Sequence, residues 1–376
     1  MSHVLVTGGA GFIGANFLYF LRRQRPDWHI LNLDLLTYAG NLENLVGLEG
    51  DSRYTFIPGD VADHQLVQGL FARYPITRVV HFAAESHVDR SILDPGVFVR
   101  TNVVGTLTLL EAARLAWKDL AAQEACRFVH VSTDEVYGSL GPHDPPVTEE
   151  APYAPRSPYA ASKAGADFLV RSYFHTYGLP VLITNCSNNY GPYQFPEKLI
   201  PFCLCQALEG KPVPIYGQGT NVRDWLFVED HCRALVRVLE QGRVGETYNI
   251  GGRGEMPNLE LVRLVLRLLG EMRPELGDLD RLITFVPDRP GHDWRYALNF
   301  SKLETQLGWR PQVTLEEGLQ RTIAWYLTHL EWLDRVRSQA YRDFVKQQYG
   351  PGVTGPGESL EAQPGQKPAA SGELVV

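Results

Sequence analysis

Lysine is scarce in this chain. Seven of its 35 basic residues are Lys, the rest are Arg, and neither forms a run. With a formal net charge of −8, the basic face of a nucleic-acid binder is missing. Cysteine is also thin: Cys126, Cys186, Cys203, Cys205 and Cys232 are scattered and odd in number. Cys203-Leu204-Cys205 lacks a second ligand pair at zinc-like spacing, so no metal is expected, and the thiols read as reduced and buried. No apolar stretch reaches the roughly 18 residues of a membrane span. Val4-Leu5-Val6-Thr7 is not preceded by a charged leader with an apolar stretch. The expected location is therefore the cytoplasm. No internal repeat occurs.

What remains is a chain that can build a large core. It has 376 residues, 44% hydrophobic and 21% charged, ordinary values for a soluble globular protein. Short apolar runs at 3–7, 29–34, 54–58, 78–82, 127–132 and 181–185 read as buried parallel strands. Amphipathic segments at 12–24, 64–74, 97–117 and 159–177 lie between them. This alternation predicts an α/β fold with a doubly wound parallel sheet of the Rossmann type. After about residue 190, Pro and Gly become frequent and strands shorten (213–216, 225–228, 246–250, 283–286), with helices at 229–240, 259–269 and 315–330. Residues 1–190 are expected to hold a dinucleotide, and 191–335 to form a smaller C-terminal α/β substrate region, with 184–201 shared. Residues 351–376 hold four Pro, five Gly and no aromatic, which predicts a disordered tail.

Gly9-Ala10-Gly11-Phe12-Ile13-Gly14 is a GxGxxG with Gly8 before it. It follows a strand and opens a helix, the context that gives the motif meaning. Glycines let the backbone turn tightly and approach a pyrophosphate, and the helix N-terminus offers free N–H groups. Asp34 ends the next strand, where a carboxylate can accept from ribose hydroxyls and repel a 2′-phosphate, favouring NAD over NADP. Asp60-Val61 and Phe82-Ala83-Ala84-Glu85-Ser86 end the third and fourth strands. Taken singly, each is an ordinary strand end.

Tyr159 and Lys163 form a YxxxK pair, one helical turn apart. A nearby ammonium and a positive nicotinamide would favour phenolate, making Tyr159 a base. The pattern is common, and without the glycine loop a solvated pair would be the better reading. Thr133-Asp134-Glu135 follows the fifth strand. Alone it reads as a loop or helix cap; functionally, two carboxylates in different surroundings can supply an acid and a base.

Several stretches together carry a resemblance: TGGAGFIG at 7–14, LTYAGNL at 36–42, AAESHVDRS at 83–91, STDEVY at 132–137, YAASK at 159–163, SNNYGPYQFPEKLIP at 187–201, RDWL at 223–226 and DRPGHDWRY at 288–296. Over residues 1–330 the chain resembles the dTDP-glucose 4,6-dehydratases, in the extended short-chain dehydrogenase/reductase family. The resemblance implies that Tyr159 takes the proton from the sugar 4-hydroxyl during NAD-dependent oxidation at C4. It gives Lys163 the nicotinamide ribose and has Thr133 place the 4-hydroxyl. Glu135 would remove the C5 proton and Asp134 protonate the departing 6-hydroxyl.

The cofactor would contact Gly8, Gly11, Phe12, Ile13, Gly14, Asp34, Leu35, Leu36, Thr37, Asp60, Val61, Phe82, Ala83, Ala84, Ser86, Thr101, Tyr159, Lys163 and Asn189. The nucleotide sugar would contact Ser86, Thr133, Asn188, Lys198, Leu199, Pro214, Ile215, Tyr216, Arg223, Asn258, Arg289 and His292, although Leu199, Pro214 and Ile215 could be plain core. Arg223 and Arg289 suit a pyrophosphate. Two departures stand out: Asn299, where relatives often carry Asp, and the long polar tail. The resemblance also implies a homodimer through the helices at 97–117 and 159–177. Competing readings are an epimerase or decarboxylase of the same fold, which need no acid pair, a 4,6-dehydratase acting on another nucleotide sugar, and a scaffold protein that has lost catalysis.

Overall fold

The computed structural model describes residues 2–118 and 126–337. The first half alternates regularly: β1 (His3–Thr7), α1 (Phe12–Gln24), β2 (His29–Asp34), β3 (Tyr54–Pro58), α2 (His64–Arg73) and β4 (Ile76–His81). Then come α3 (Val88–Leu93), α4 (Pro95–Phe98), α5 (Gly105–Trp117), β5 (Arg127–Thr133), α6 (Pro158–Tyr177) and β6 (Val181–Cys186). Shorter pieces follow: β7 (Asn188–Tyr190), α7 (Leu199–Leu208), β8 (Val213–Tyr216), β9 (Val222–Arg223), β10 (Trp225–Phe227), α8 (Val228–Gln241), β11 (Thr247–Ile250) and β12 (Met256–Pro257). The described chain closes with α9 (Asn258–Met272), β13 (Ile283–Val286), α10 (Ser301–Leu307), α11 (Leu315–Thr328) and α12 (Leu330–Val336).

The main sheet has seven strands in the order β11-β6-β5-β4-β1-β2-β3. All of its pairings are parallel. The strand order reverses between β1 and β4, which opens a crevice at the carboxyl ends of those strands. The strands are apolar because both faces are covered. On one face α1, α8 and α10 bury residues such as Phe17, Leu18, Leu235 and Leu303. On the other, α2, α5 and α6 bury Val67, Leu109, Trp117 and Tyr173. A second core joins α7, α9, α11 and α12 around Phe202, Leu266 and Ile323. Among the described residues, no helix is long and apolar enough to cross a membrane.

Two expectations need adjusting. The strand at Thr247–Ile250, placed by sequence in the second region, pairs with β6 in the main sheet. The chain thus returns to the first layer after residue 190, because β11 needs a neighbour for its backbone and finds it at β6. The single helix expected at 97–117 is interrupted by a π-helical stretch, Val99–Val104, between α4 and α5. There Asn102 accepts from the Glu85 N–H and donates to the Glu85 carbonyl and to Ser162 Oγ. These bonds hold the widened turn against the loop after β4. The tail at 351–376 lies outside the described residues.

Local signals explain the helix ends. Ser157 caps α6 by accepting from the Ala160 N–H at 3.1 Å, and Pro158 follows with no N–H to satisfy. Gly178 ends it at φ +67°. Trp117 closes α5 at 1% exposure, its indole N–H on the Ile76 carbonyl at 2.8 Å. Trp117→Ala would leave a cavity and an unpaired carbonyl. It should lower unfolding free energy by about 3–5 kcal/mol, read from the urea midpoint at constant slope.

Candidate active site

A cleft of about 310 Å³ lies at the carboxyl ends of the strands around the β1/β4 reversal. Its floor is the glycine loop. Gly8 adopts φ +73°, and a Cβ there would stand 2.6 Å from the Ala83 backbone nitrogen. A Cβ on Gly14 would stand 2.2 Å from the Gly8 carbonyl oxygen. Both positions demand glycine for steric reasons. The loop then enters α1 with no side chain capping its first turn. Bare backbone and an uncapped helix start fit the pyrophosphate of a dinucleotide.

Asp34 sits at the end of β2 and is 7% exposed. Its carboxylate accepts from the Ala10 and Leu36 N–H groups, each at 2.8 Å. Burial raises its pKa, and these two bonds oppose the rise. Leu36 takes φ +56° to make its bond. Asp34 therefore braces the glycine loop while lining the cleft. Asp60 also lines it but pairs with Arg100 at 2.6 Å. Gly11, Phe12, Ile13, Leu35, Thr37, Val61, Phe82, Ala83, Ala84, Ser86, Thr101 and Asn189 join the lining, while Leu36 does not.

Thr133, Asp134, Glu135, Tyr159 and Lys163 share this cleft. The first three stand where β5 ends, and Thr133 Oγ1 accepts from the Glu135 N–H at 3.3 Å. Tyr159 and Lys163 project from α6 beside them. Thr133 is hydrogen-bonded to Tyr159. Lys163 Nζ donates to the Val131 carbonyl at 2.9 Å.

Burial first, then the charge of Glu135, pushes the Tyr159 hydroxyl well above its ordinary pKa, and the Thr133 bond only partly opposes this.

The two acids differ in their surroundings. Asp134 is 4% exposed, and its Oδ2 has no hydrogen-bond partner among the described residues. Burial, the Glu135 charge and the Asp224 charge raise its pKa far above the carboxylate range, against Arg223. Burial also raises Glu135, but three cations, Arg289, Arg223 and Lys198, pull it back. Adjacent carboxyls with opposed neighbours are an arrangement that supplies acid and base together.

The cations belong to a polar wall that starts in the cleft at Lys198 and continues beyond it through Arg223 and Arg289. Lys198 donates to the Ser86 carbonyl at 3.1 Å. Arg223 is 5% exposed, donates to the Asp293 carbonyl at 2.9 Å and lies over the Tyr296 ring. Arg289 meets Asp89 at 3.2 Å, and Tyr216 reaches the same carboxylate at 3.5 Å. His292 packs edge-on to Tyr216. Asn188 Oδ1, Asn258 Oδ1 and Arg289 Nε are buried without hydrogen-bond partners among the described residues, which suits a polar ligand. Of the residues expected to bind a nucleotide sugar, Ser86, Thr133, Asn188 and Lys198 line the cleft. Leu199, Pro214, Ile215, Tyr216, Arg223, Asn258, Arg289 and His292 stand outside that lining. Ile215 is 2% exposed in the second core, so only its backbone could meet a ligand.

Sequence reasoning passed over several residues. Asn32 accepts from the Gly9 N–H at 3.1 Å, and a polar residue inside an apolar strand was the signal. Glu85 and Glu197 line the cleft, and Glu197 pairs with Arg90 at 3.3 Å. Both acids lay within the quoted AAESHVDRS and SNNYGPYQFPEKLIP stretches.

Comparison with known proteins agrees with this geometry. A family model described as GDP-mannose 4,6 dehydratase matches residues 5–322. A protein of Xanthomonas campestris pv. campestris (strain B100) named dTDP-glucose 4,6-dehydratase is 55% identical over 346 residues, 91% of this chain and 98% of its own length. The crystal structure of DesIV, a dTDP-glucose 4,6-dehydratase from Streptomyces venezuelae with NAD and TYD bound, superposes with a TM-score of 0.82 at 48% identity, covering 89% of this chain and 99% of that one. A UDP-glucose 4-epimerase from Thermotoga maritima with UDP-glucose shares the fold at a TM-score of 0.78 and 28% identity, covering 87% of this chain and 99% of that one. The chain belongs to the GDP-mannose 4,6 dehydratase family and, within it, groups with the dTDP-glucose 4,6-dehydratases.

Proposed function

We propose that the protein dehydrates dTDP-glucose to dTDP-4-keto-6-deoxyglucose, with NAD as a cofactor regenerated in each turnover. The observation that carries this reading is the acid pair in one cleft with Tyr159: Asp134 raised by burial and by its acidic neighbours, Glu135 faced by three cations. Bound NAD⁺ supplies the reversible two-electron acceptor for the first and last steps, and its ring charge favours a phenolate nearby. Tyr159 Oη accepts the proton of the sugar 4-hydroxyl, and Thr133 Oγ1 orients that hydroxyl. Lys163 Nζ, anchored on β5, reaches the nicotinamide ribose. The 4-keto group acidifies C5–H, so Glu135 can remove that proton. Asp134 hands its proton to the 6-hydroxyl, the C6–O bond breaks and water leaves. C6 then takes back the hydride removed from C4, Glu135 delivers a solvent-exchanged proton to C5, and release of the Tyr159 proton restores Asp134.

Residues 1–190 chiefly hold the cofactor, and 191–335 the nucleotide end. Arg223 and Arg289 take the pyrophosphate, with Asn188, Lys198, Leu199, Pro214, Ile215, Tyr216, Asn258 and His292 around it. Five free, buried cysteines fit a reducing cytoplasm. A homodimer is supported by apolar side chains on adjoining helices: Val97, Val104, Leu107, Leu115 and Phe168 are each more than a third exposed.

The direct test is turnover of dTDP-glucose in deuterated water. The 4-keto product should carry deuterium at C5, and product without it would overturn the reading. Glu135→Gln should leave C4 oxidation in part, so reduced-cofactor absorbance accumulates with little elimination. Asp134→Asn should slow elimination by ~10²–10⁴, with partial rescue by a 6-fluoro substrate, which needs less protonation to leave.

Asp34→Ala should weaken NAD⁺ binding on the order of tenfold and narrow the preference over NADP⁺. It should also lower the melting temperature, because two loop amides lose their acceptor. Equal NAD⁺ affinity in calorimetric titration would remove Asp34 from the site.

Phe168→Glu should convert the dimer to a monomer by light scattering, since a charge at such a centre is left without a partner. A monomeric wild type would end the dimer proposal.

A further inference from the structure

Beneath Tyr159 and Lys163 lies a third member of the same helical stripe that the mechanism does not use. Asp167 is one turn beyond Lys163 on α6 and is fully buried. Its Oδ2 accepts from Ser132 Oγ and from Tyr153 Oη, each at 2.9 Å. Tyr153 is itself held by Arg171, whose Nη2 donates to its oxygen at 2.9 Å. Oδ1 lies 3.2 Å from His130 Nε2. A buried carboxylate would be costly unless its charge were used.

Register explains the placement. β5 and α6 run side by side, and successive β5 residues meet successive turns of α6. His130 and Ser132 meet Asp167, the Val131 carbonyl meets Lys163, and Thr133 meets Tyr159. A slip of α6 along β5 would break all of these contacts at once.

We propose that Asp167 is a positioning residue for the Tyr159–Lys163 pair: its carboxylate, gripped by Ser132 and Tyr153, pins α6 to β5 and stands one helical turn from Lys163 as its counter-charge. The proposal's catalytic consequence rests on the function proposed above; its electrostatic core does not.

The groups facing Lys163 are Tyr159 and Asp167 from α6, His130 from β5, Cys186 from β6 and His81 from β4. Burial, then Lys163 itself, lowers His130 to about 4. Burial lowers His81 well below the ordinary histidine range. Burial raises the Cys186 thiol to about 12. Burial also lowers Lys163, and Asp167 is the foremost opposing charge, followed by Cys186.

The scarcity of lysine gives the test. Seven lysines can be labelled with ¹³C at Cε and titrated by NMR in the full-length protein, with the Lys163 signal identified by its loss in Lys163→Arg. In Asp167→Asn, which keeps shape and loses charge, the Lys163 midpoint should fall by about one pH unit or more. Product formation from dTDP-glucose should fall mainly in kcat, with KM little changed. An unchanged Lys163 midpoint overturns the proposal, whatever the turnover. If Asp167→Asn does not fold, Ser132→Ala combined with Tyr153→Phe carries the test, since it frees the carboxylate but keeps its charge. Several-fold loss of kcat with unchanged KM and Lys163 midpoint supports the proposal; full kcat overturns it. The lysine titration needs no turnover, so a wild type inactive on dTDP-glucose would sink the functional reading and leave this one standing or falling alone.

Discussion

Everything catalytic in this fold depends on the seam between β5 and α6. The strand delivers Thr133, Asp134 and Glu135 at its carboxyl end, and the helix delivers Tyr159 and Lys163. Neither element places its residues usefully alone. A strand end fixes direction, and a helix fixes the spacing of one turn, but the distance between the two sets is a matter of packing. The Lys163–Val131 bond and the Ser132–Asp167 bond set that distance with polar contacts. Polar contacts have a single good register, whereas apolar packing tolerates slippage.

That seam also governs the electrostatics. Asp134 and Glu135 are neighbours in sequence, and ionising both in a buried site is unfavourable. The wall of Arg223, Arg289 and Lys198 lowers Glu135 against its burial, with Arg289 the foremost cation. Asp134 meets Arg223 but also Asp224, and stays raised well above its ordinary value. The cations sit on the segments after β6, which the chain reaches only after completing most of its sheet. The second region thus sets the surroundings of acids that the first presents.

Much of this was legible in the residues. The bounds of α1, β1, β2 and β3 follow from apolar runs and glycine punctuation, since each element satisfies its own local rule. The π-helical Val99–Val104 was not legible, because a widened turn keeps nearly the same apolar spacing as a regular one. Nor was the anchor of Lys163, since a lysine one turn from a tyrosine says nothing of the Val131 carbonyl that accepts from it. Asn32 and Asp167 illustrate the same limit. A single polar residue in an apolar pattern announces burial, but its partners lie 23 and 35 residues away, and only the fold brings them together.

The likeness to a UDP-glucose 4-epimerase at a TM-score of 0.78 and 28% identity bears on how such chemistry is divided. Oxidation at C4 needs a base on α6 and a dinucleotide over the sheet, which the shared architecture can provide. Dehydration needs two further proton carriers at C5 and C6. They can be added only where backbone is free to carry new side chains beside the redox centre, and the end of β5 is such a place. Asp134 and Glu135 occupy a short 3₁₀ turn, Asp134–Tyr137, outside the main sheet ladder. Substitutions there leave the strands and their pairing intact. The acid pair thus stands on a four-residue turn, with the sheet, the glycine loop and the β5–α6 seam as the framework beneath it.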